Sequence, residues 1–151
     1  MRTPLAVLTM LSFGLTLMAA NPFVGTWKLN IPKSTLKGTD NEIASETMTI
    51  SEQGSDTRLI IDTVLKSGET RHQERIRTPD GKEHPARGVG FKQEGATEID
   101  LLVDASTRQI TSKRDGKVRG TINSTISRDG KVMTNHNTGS AGDEVLVFDK
   151  Q

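Results

Sequence analysis

Residues 108–131 read RQITSKRDGKVRGTINSTISRDGK, and this stretch decides the fold. Two Asp-Gly pairs, Asp115-Gly116 and Asp129-Gly130, bracket a segment in which Val118, Gly120, Ile122, Ser124 and Ile126 alternate with Arg119, Thr121, Asn123 and Thr125. Side chains of an extended chain point to opposite faces with a period of two, so residues 118–127 read as a half-buried strand. An Asp-Gly pair supplies the positive φ angles of a tight hairpin turn, so each pair joins this strand to an antiparallel neighbour. The same turn recurs at Pro79-Asp80-Gly81-Lys82 and is read there, too, as a connection between adjacent antiparallel strands.

Ser67-Gly68-Glu69 and Gln53-Gly54-Ser55 punctuate the chain in the same way, with β-branched residues between them. The pattern predicts about ten strands: Phe23 to Asn30, Ser45 to Glu52, Thr57 to Leu65, Thr70 to Thr78, Glu83 to Arg87, Thr97 to Val103, Arg108 to Arg114, Val118 to Ser127, Val132 to Thr138 and Glu144 to Lys150. Phe23, Gly25, Trp27, Leu29 and Ile31 share one face of the first. Runs at Leu59 to Ile61 and Val145 to Phe148 suggest strands covered on both sides. A meander of this length either exposes two edges or closes on itself, and closure into an all-β up-and-down barrel is expected. The one long connection, Pro32 to Ile43, is read as a solvated loop in preference to a lid over the barrel mouth.

The first twenty residues carry one cation, Arg2, an apolar run from Leu5 to Met18 broken only by Thr, Ser and Gly14, and then Ala19-Ala20. That is the pattern of a secretory leader, with cleavage expected after Ala20, and the run is too short to span a membrane. Residues 21–151 then form one domain, exported to the periplasm or the extracellular space. They hold 36 apolar residues in 131, with 19 basic and 19 acidic side chains interspersed. A balanced charge leaves no footprint for nucleic acid or an anionic membrane. No cysteine is present, so disulfides and thiolate chemistry are excluded. Scattered over both faces of the strands, the 36 apolar residues cannot fill the roughly thirty inward positions of ten strands at about three each. Some lumen positions must therefore be polar.

The strand Thr70 to Thr78 is almost wholly polar, with Gln73, Arg75 and Arg77 on one face and His72, Glu74 and Ile76 on the other. The favoured reading turns Ile76 inward and leaves the arginines as a solvated edge, since arginine is rarely buried unpaired. The alternative turns them into the lumen, where a guanidinium fork would bind a carboxylate or phosphate. In that alternative Gln73, Arg75, Arg77 and His84 are the candidate ligand-binding residues. Catalytic constellations are not visible. His72, His84 and His136 show no metal-ligand spacing, no Gly-x-Ser-x-Gly occurs, and the glycines follow Asp in turns rather than opening a phosphate-cradling helix. No metal, no cofactor and no enzymatic activity are expected.

The opening Asn21-Pro22-Phe23-Val24-Gly25-Thr26-Trp27-Lys28-Leu29-Asn30, with Lys33-Ser34 beyond it and Val145 to Gln151 at the other end, resembles the lipocalin and fatty-acid-binding superfamily. More narrowly, it is similar to small secreted bacterial lipocalin-like proteins of unassigned function. The resemblance implies an antiparallel barrel of eight to ten strands whose interior holds one small, mostly apolar ligand, with Trp27 plugging its closed end. The Arg-x-Tyr pair with which fatty-acid-binding proteins hold a carboxylate is missing, Phe148-Asp149-Lys150 standing at that end. Three classes of function stay open: a monomeric carrier of a small molecule, a structural or protein-interaction domain, and a barrel enzyme.

Overall fold

The computed structural model describes residues 20–139 and 142–151. The expected leader, apart from Ala20, lies outside the described residues. Eleven antiparallel strands form a single, nearly closed up-and-down barrel. They are β1 (Gly25–Leu29), β2 (Ile43–Gln53), β3 (Asp56–Leu65), β4 (Thr70–Arg77), β5 (Glu83–Pro85), β6 (Arg87–Val89), β7 (Ala96–Asp104), β8 (Thr107–Arg114), β9 (Lys117–Ile126), β10 (Val132–Gly139) and β11 (Glu144–Lys150). Their order around the sheet is β5-β7-β8-β9-β10-β11-β1-β2-β3-β4-β6.

The β8–β9 turn has the chemistry its sequence demands. Asp115 and Gly116 both have positive φ, 51° and 74°, which matches the turn to the right-handed twist of the flanking strands. The Asp80-Gly81 turn behaves differently from the expectation of a tight hairpin. Asp80 Oδ1 accepts from the Lys82 backbone N–H, and Gly81 N–H donates across to the Asp100 carbonyl. The chain is thereby carried over to β7 before it returns to β4. As a result the strand expected at Glu83 to Arg87 is split at Ala86, with β5 pairing to β7 and β6 to β4.

This one segment forms the seam of the barrel. Directly opposite Arg75, Gly88 approaches β4 so closely that a Cβ there would lie 1.8 Å from the Glu74 carbonyl oxygen, and its φ is +141°. Only glycine can occupy the position.

The core lies on the side of β1, β2, β10 and β11. Trp27 and Phe148 are fully buried, with Phe23, Leu29, Ile43, Met48, Ile50, Met133 and Leu146 packed around them. In β3 and β11 one face is buried and the other is not, so the expectation of strands covered on both sides is corrected: Ile60, Val145 and Val147 are only half-buried. Between β1 and β2 the chain forms two 3-10 turns, Ile31–Lys33 and Gly38–Glu42. This connection is solvated along most of its length, as expected, and is tied to the barrel as a strap. Thr35 bridges Val145, the Lys66 N–H donates to the Glu42 carbonyl, and Leu36 packs against the core.

Candidate functional site

The inward faces enclose a cavity of about 230 Å³. Part of its wall is apolar, from Phe23, Met48, Ile50, Leu59, Ile61, Ile110 and Met133. The rest is polar: Glu46 on β2, Gln73, Arg75 and Arg77 on β4, Arg108 on β8, and Asn135 and Asn137 on β10. With apolar residues spread over both faces of the strands, the interior has become a lumen of two characters.

Cross-strand register turns the arginines inward. Residues paired directly across a ladder face the same side, and Arg77, Arg75 and Gln73 stand opposite Thr57, Leu59 and Ile61, which line the lumen. The favoured sequence reading, with Ile76 inward and the arginines in solvent, is therefore corrected. What permits it is a partner that strand-by-strand reading does not reveal, Glu98 on β7. Arg77 Nε donates to Glu98 Oε2 at 3.0 Å and Nη2 to Oε1 at 3.3 Å, while Arg75 Nη1 donates to Oε1 at 2.9 Å. Because β4 and β7 share no ladder, this cluster also ties the barrel across its seam.

Two guanidiniums thus share one carboxylate, leaving one positive charge in excess. Burial pushes the Glu98 carboxyl up, but the charges and hydrogen bonds of Arg77 and Arg75 outweigh it and hold the group below the usual carboxylate range. Arg75 is pulled below its ordinary value by burial and by the neighbouring Arg77 charge, against the attraction of Glu98. Its guanidinium carbon lies 3.9 Å from the centre of the Phe91 ring, a cation–π contact that holds it in place. Among the described residues its Nε and Nη2 find no hydrogen-bond partner and remain available to a ligand. Arg108 differs: it is matched one-to-one with Asp100 in a buried, bidentate pair and carries no excess charge.

A second group of carboxyls lies where the strap meets the barrel. Asp40 is pushed up to about 6 by burial, by the charge of Glu144 and by a hydrogen bond shared with it, Glu46 adding repulsion and Arg71 opposing it. Glu46 is raised by burial, the hydrogen bond from Thr63 opposing and Glu144 adding repulsion. A raised carboxyl is protonated more readily in the folded than in the unfolded chain. Its contribution to stability is therefore full below about pH 3.8 and is lost as the pH rises through about 6. Replacing Asp40 by asparagine is expected to flatten this decline. Parallel melting-temperature profiles of parent and Asp40→Asn over that window would show that the strap contact does not titrate.

Of the residues singled out from the sequence, the structure brings Gln73, Arg75 and Arg77 together in the cavity wall and sets His84 beside the cluster, outside the main cavity. The His84 ring Nε2 lies 2.9 Å from Asp80 Oδ1; His84 stands opposite Glu98 across the β5–β7 ladder and lines a small pocket with Arg77, Glu98 and Asp100 rather than the main cavity. Trp27 does not line it either. It is fully buried, its Nε1–H donating to the Phe23 carbonyl at 2.8 Å, and Phe23 is the residue that meets the cavity. Sequence reading missed Glu98, Asp100, Arg108, Asn135 and Asn137. The alternation Glu98-Ile99-Asp100-Leu101 was there to be used, but it points to the opposite faces from those observed.

The sequence matches no protein-family model and no curated protein. Solved structures do resemble it. The fluorescent protein UnaG superposes with a TM-score of 0.61 at 18% identity, covering 85% of this chain and 97% of the other. A Schistosoma mansoni fatty acid binding protein in complex with arachidonic acid gives 0.61 at 14% identity, over 86% and 96%. Fatty-acid-binding protein 1 of Echinococcus granulosus gives 0.60 at 13%, over 85% and 97%. The fold is that of the calycin, fatty-acid-binding-protein-like β-barrels.

Proposed function

We propose that this chain is an exported carrier that holds one small amphipathic anion in the barrel lumen, its apolar body against Phe23, Met48 and Leu59 and its anionic head on Arg75. The observation that carries this reading is the unmatched positive charge of the Arg75–Glu98–Arg77 cluster, set in the wall of a half-apolar cavity. A guanidinium with free Nε and Nη2 presents the fork that a carboxylate or phosphate fits. The fold adds weight, since the neighbours named above include fatty-acid-binding proteins. Export to the periplasm or the extracellular space rests on the apolar run from Leu5 to Met18 and the Ala19-Ala20 that follows it. The carrier needs neither a partner chain nor a cofactor.

Anilinonaphthalene sulfonate, an anionic fluorophore that brightens in apolar surroundings, supplies the test. It is expected to bind the parent one-to-one and to bind Arg75→Gln about tenfold more weakly, the loss of one charge-assisted hydrogen-bonded contact. Equal binding by the two proteins would remove the head group from Arg75. An interaction domain is the second reading, favoured by the exposed Leu101, Leu102 and Val103 at the end of β7. It predicts a discrete complex on size-exclusion chromatography that a Leu102→Lys variant fails to form.

A further inference from the structure

β10 faces β4 across the lumen, the two standing fifth and tenth in the order of strands around the sheet. On β10, Asn135 and Asn137 lie two residues apart on the inward face and line the cavity. The side-chain oxygens of both are buried and accept no hydrogen bond. Asn135 is only 7% exposed. The orientation of Asn137 is fixed by its cross-strand neighbour, its Nδ2 donating to Glu144 Oε1 at 2.9 Å, so that its oxygen is the atom left over. Buried side-chain acceptors are nearly always satisfied, and two orphans on one cavity wall mark a place where a partner belongs.

Resting on the carrier reading above, we infer that the molecule in the lumen carries an uncharged hydrogen-bond donor, a hydroxyl or an amide N–H, at the end away from its anionic group, and that Asn135 and Asn137 receive it. The acceptors here are neutral amides. The neighbouring carboxylate, Glu144, has both oxygens taken, Oε1 by Asn137 Nδ2 and Oε2 by the Lys37 backbone N–H, while Glu46 on the cavity wall is raised by its burial toward the neutral form and accepts from Thr63. This wall therefore asks for a donor without asking for a cation. A plain alkyl chain would cover both oxygens and leave them unpaired, and a site built around a hydroxyl rejects the analogue that lacks one.

The two probes are octanoate and ω-hydroxyoctanoate, alike in length and charge, titrated calorimetrically into the parent and into Asn135→Leu. The parent is expected to bind the hydroxy acid about tenfold more tightly, and Asn135→Leu to lose that preference while still binding octanoate. Equal affinity in the parent overturns the inference and leaves the carrier reading standing; this comparison needs no variant to fold. A preference that survives in Asn135→Leu overturns the assignment to Asn135. If neither acid binds the parent, the carrier reading fails and the inference fails with it.

Discussion

Glutamine in place of Glu98 is expected to destabilise the barrel by about 3–5 kcal/mol, the usual cost of removing one partner from a buried ion pair. The substitution keeps the shape of the side chain and removes its charge. Arg77, with its side chain 8% exposed, then has a neutral acceptor for a buried guanidinium, and Arg75 repels it across the lumen wall. No ladder joins β4 to β7, so the loss falls on the seam. Urea denaturation at neutral pH measures it directly, and a melting temperature lower by about 10 °C should accompany it. The effect carries a pH signature. Glu98 is held below its ordinary value in the folded chain, so its contribution is present above the usual carboxylate range and is lost as the pH falls through its folded-state value. The gap between parent and variant should therefore close on acidification. A variant as stable as the parent at neutral pH would show that the cluster does not hold the seam.

Trp27→Ala is the other large effect, about 3–5 kcal/mol for a fully buried tryptophan. The cavity it leaves opens beside Phe23, Leu29 and Phe148, and the Phe23 carbonyl loses the indole N–H that donates to it. Phe23 lines the lumen, so the damage should reach the ligand site too, and binding of anilinonaphthalene sulfonate should weaken along with stability. An alanine variant that melts with the parent would remove Trp27 from any part in the core.

The barrel was legible because its signals are local. Alternation in residues 118–127 and the paired Asp-Gly turns specify strands and hairpins within a few residues, and β8, β9 and β10 follow the reading closely. The seam was not legible, because what splits the strand at Ala86 is a competition between β4 and β7 for the same seven residues, a contact between segments distant in sequence. Faces were legible where the interior is apolar and misleading where it is polar. Along β7 the hydrophobic rule turns Leu101 and Val103 inward, yet they are 42% and 55% exposed while Glu98 and Asp100 are buried. The same inversion affects Ile76 against Arg75 and Arg77. Each buried charge is tolerable only because another strand supplies its opposite, Glu98 for Arg75 and Arg77, Asp100 for Arg108, and no single strand's pattern records that match. Gln73, Arg75 and Arg77 were found from their residue type, whereas Asn135 and Asn137 look like ordinary polar strand positions until β10 is placed in the barrel.

Native mass spectrometry of residues 21–151, incubated separately with octanoate and with octylamine, tests the central claim most directly, because the two probes share a length and differ in the sign of their charge. One octanoate bound per chain, released on denaturation and absent from Arg75→Gln, with no retained octylamine, is the result expected of a lumen built for an amphipathic anion. Octylamine retained as well as octanoate, or a bare chain with both, would contradict it.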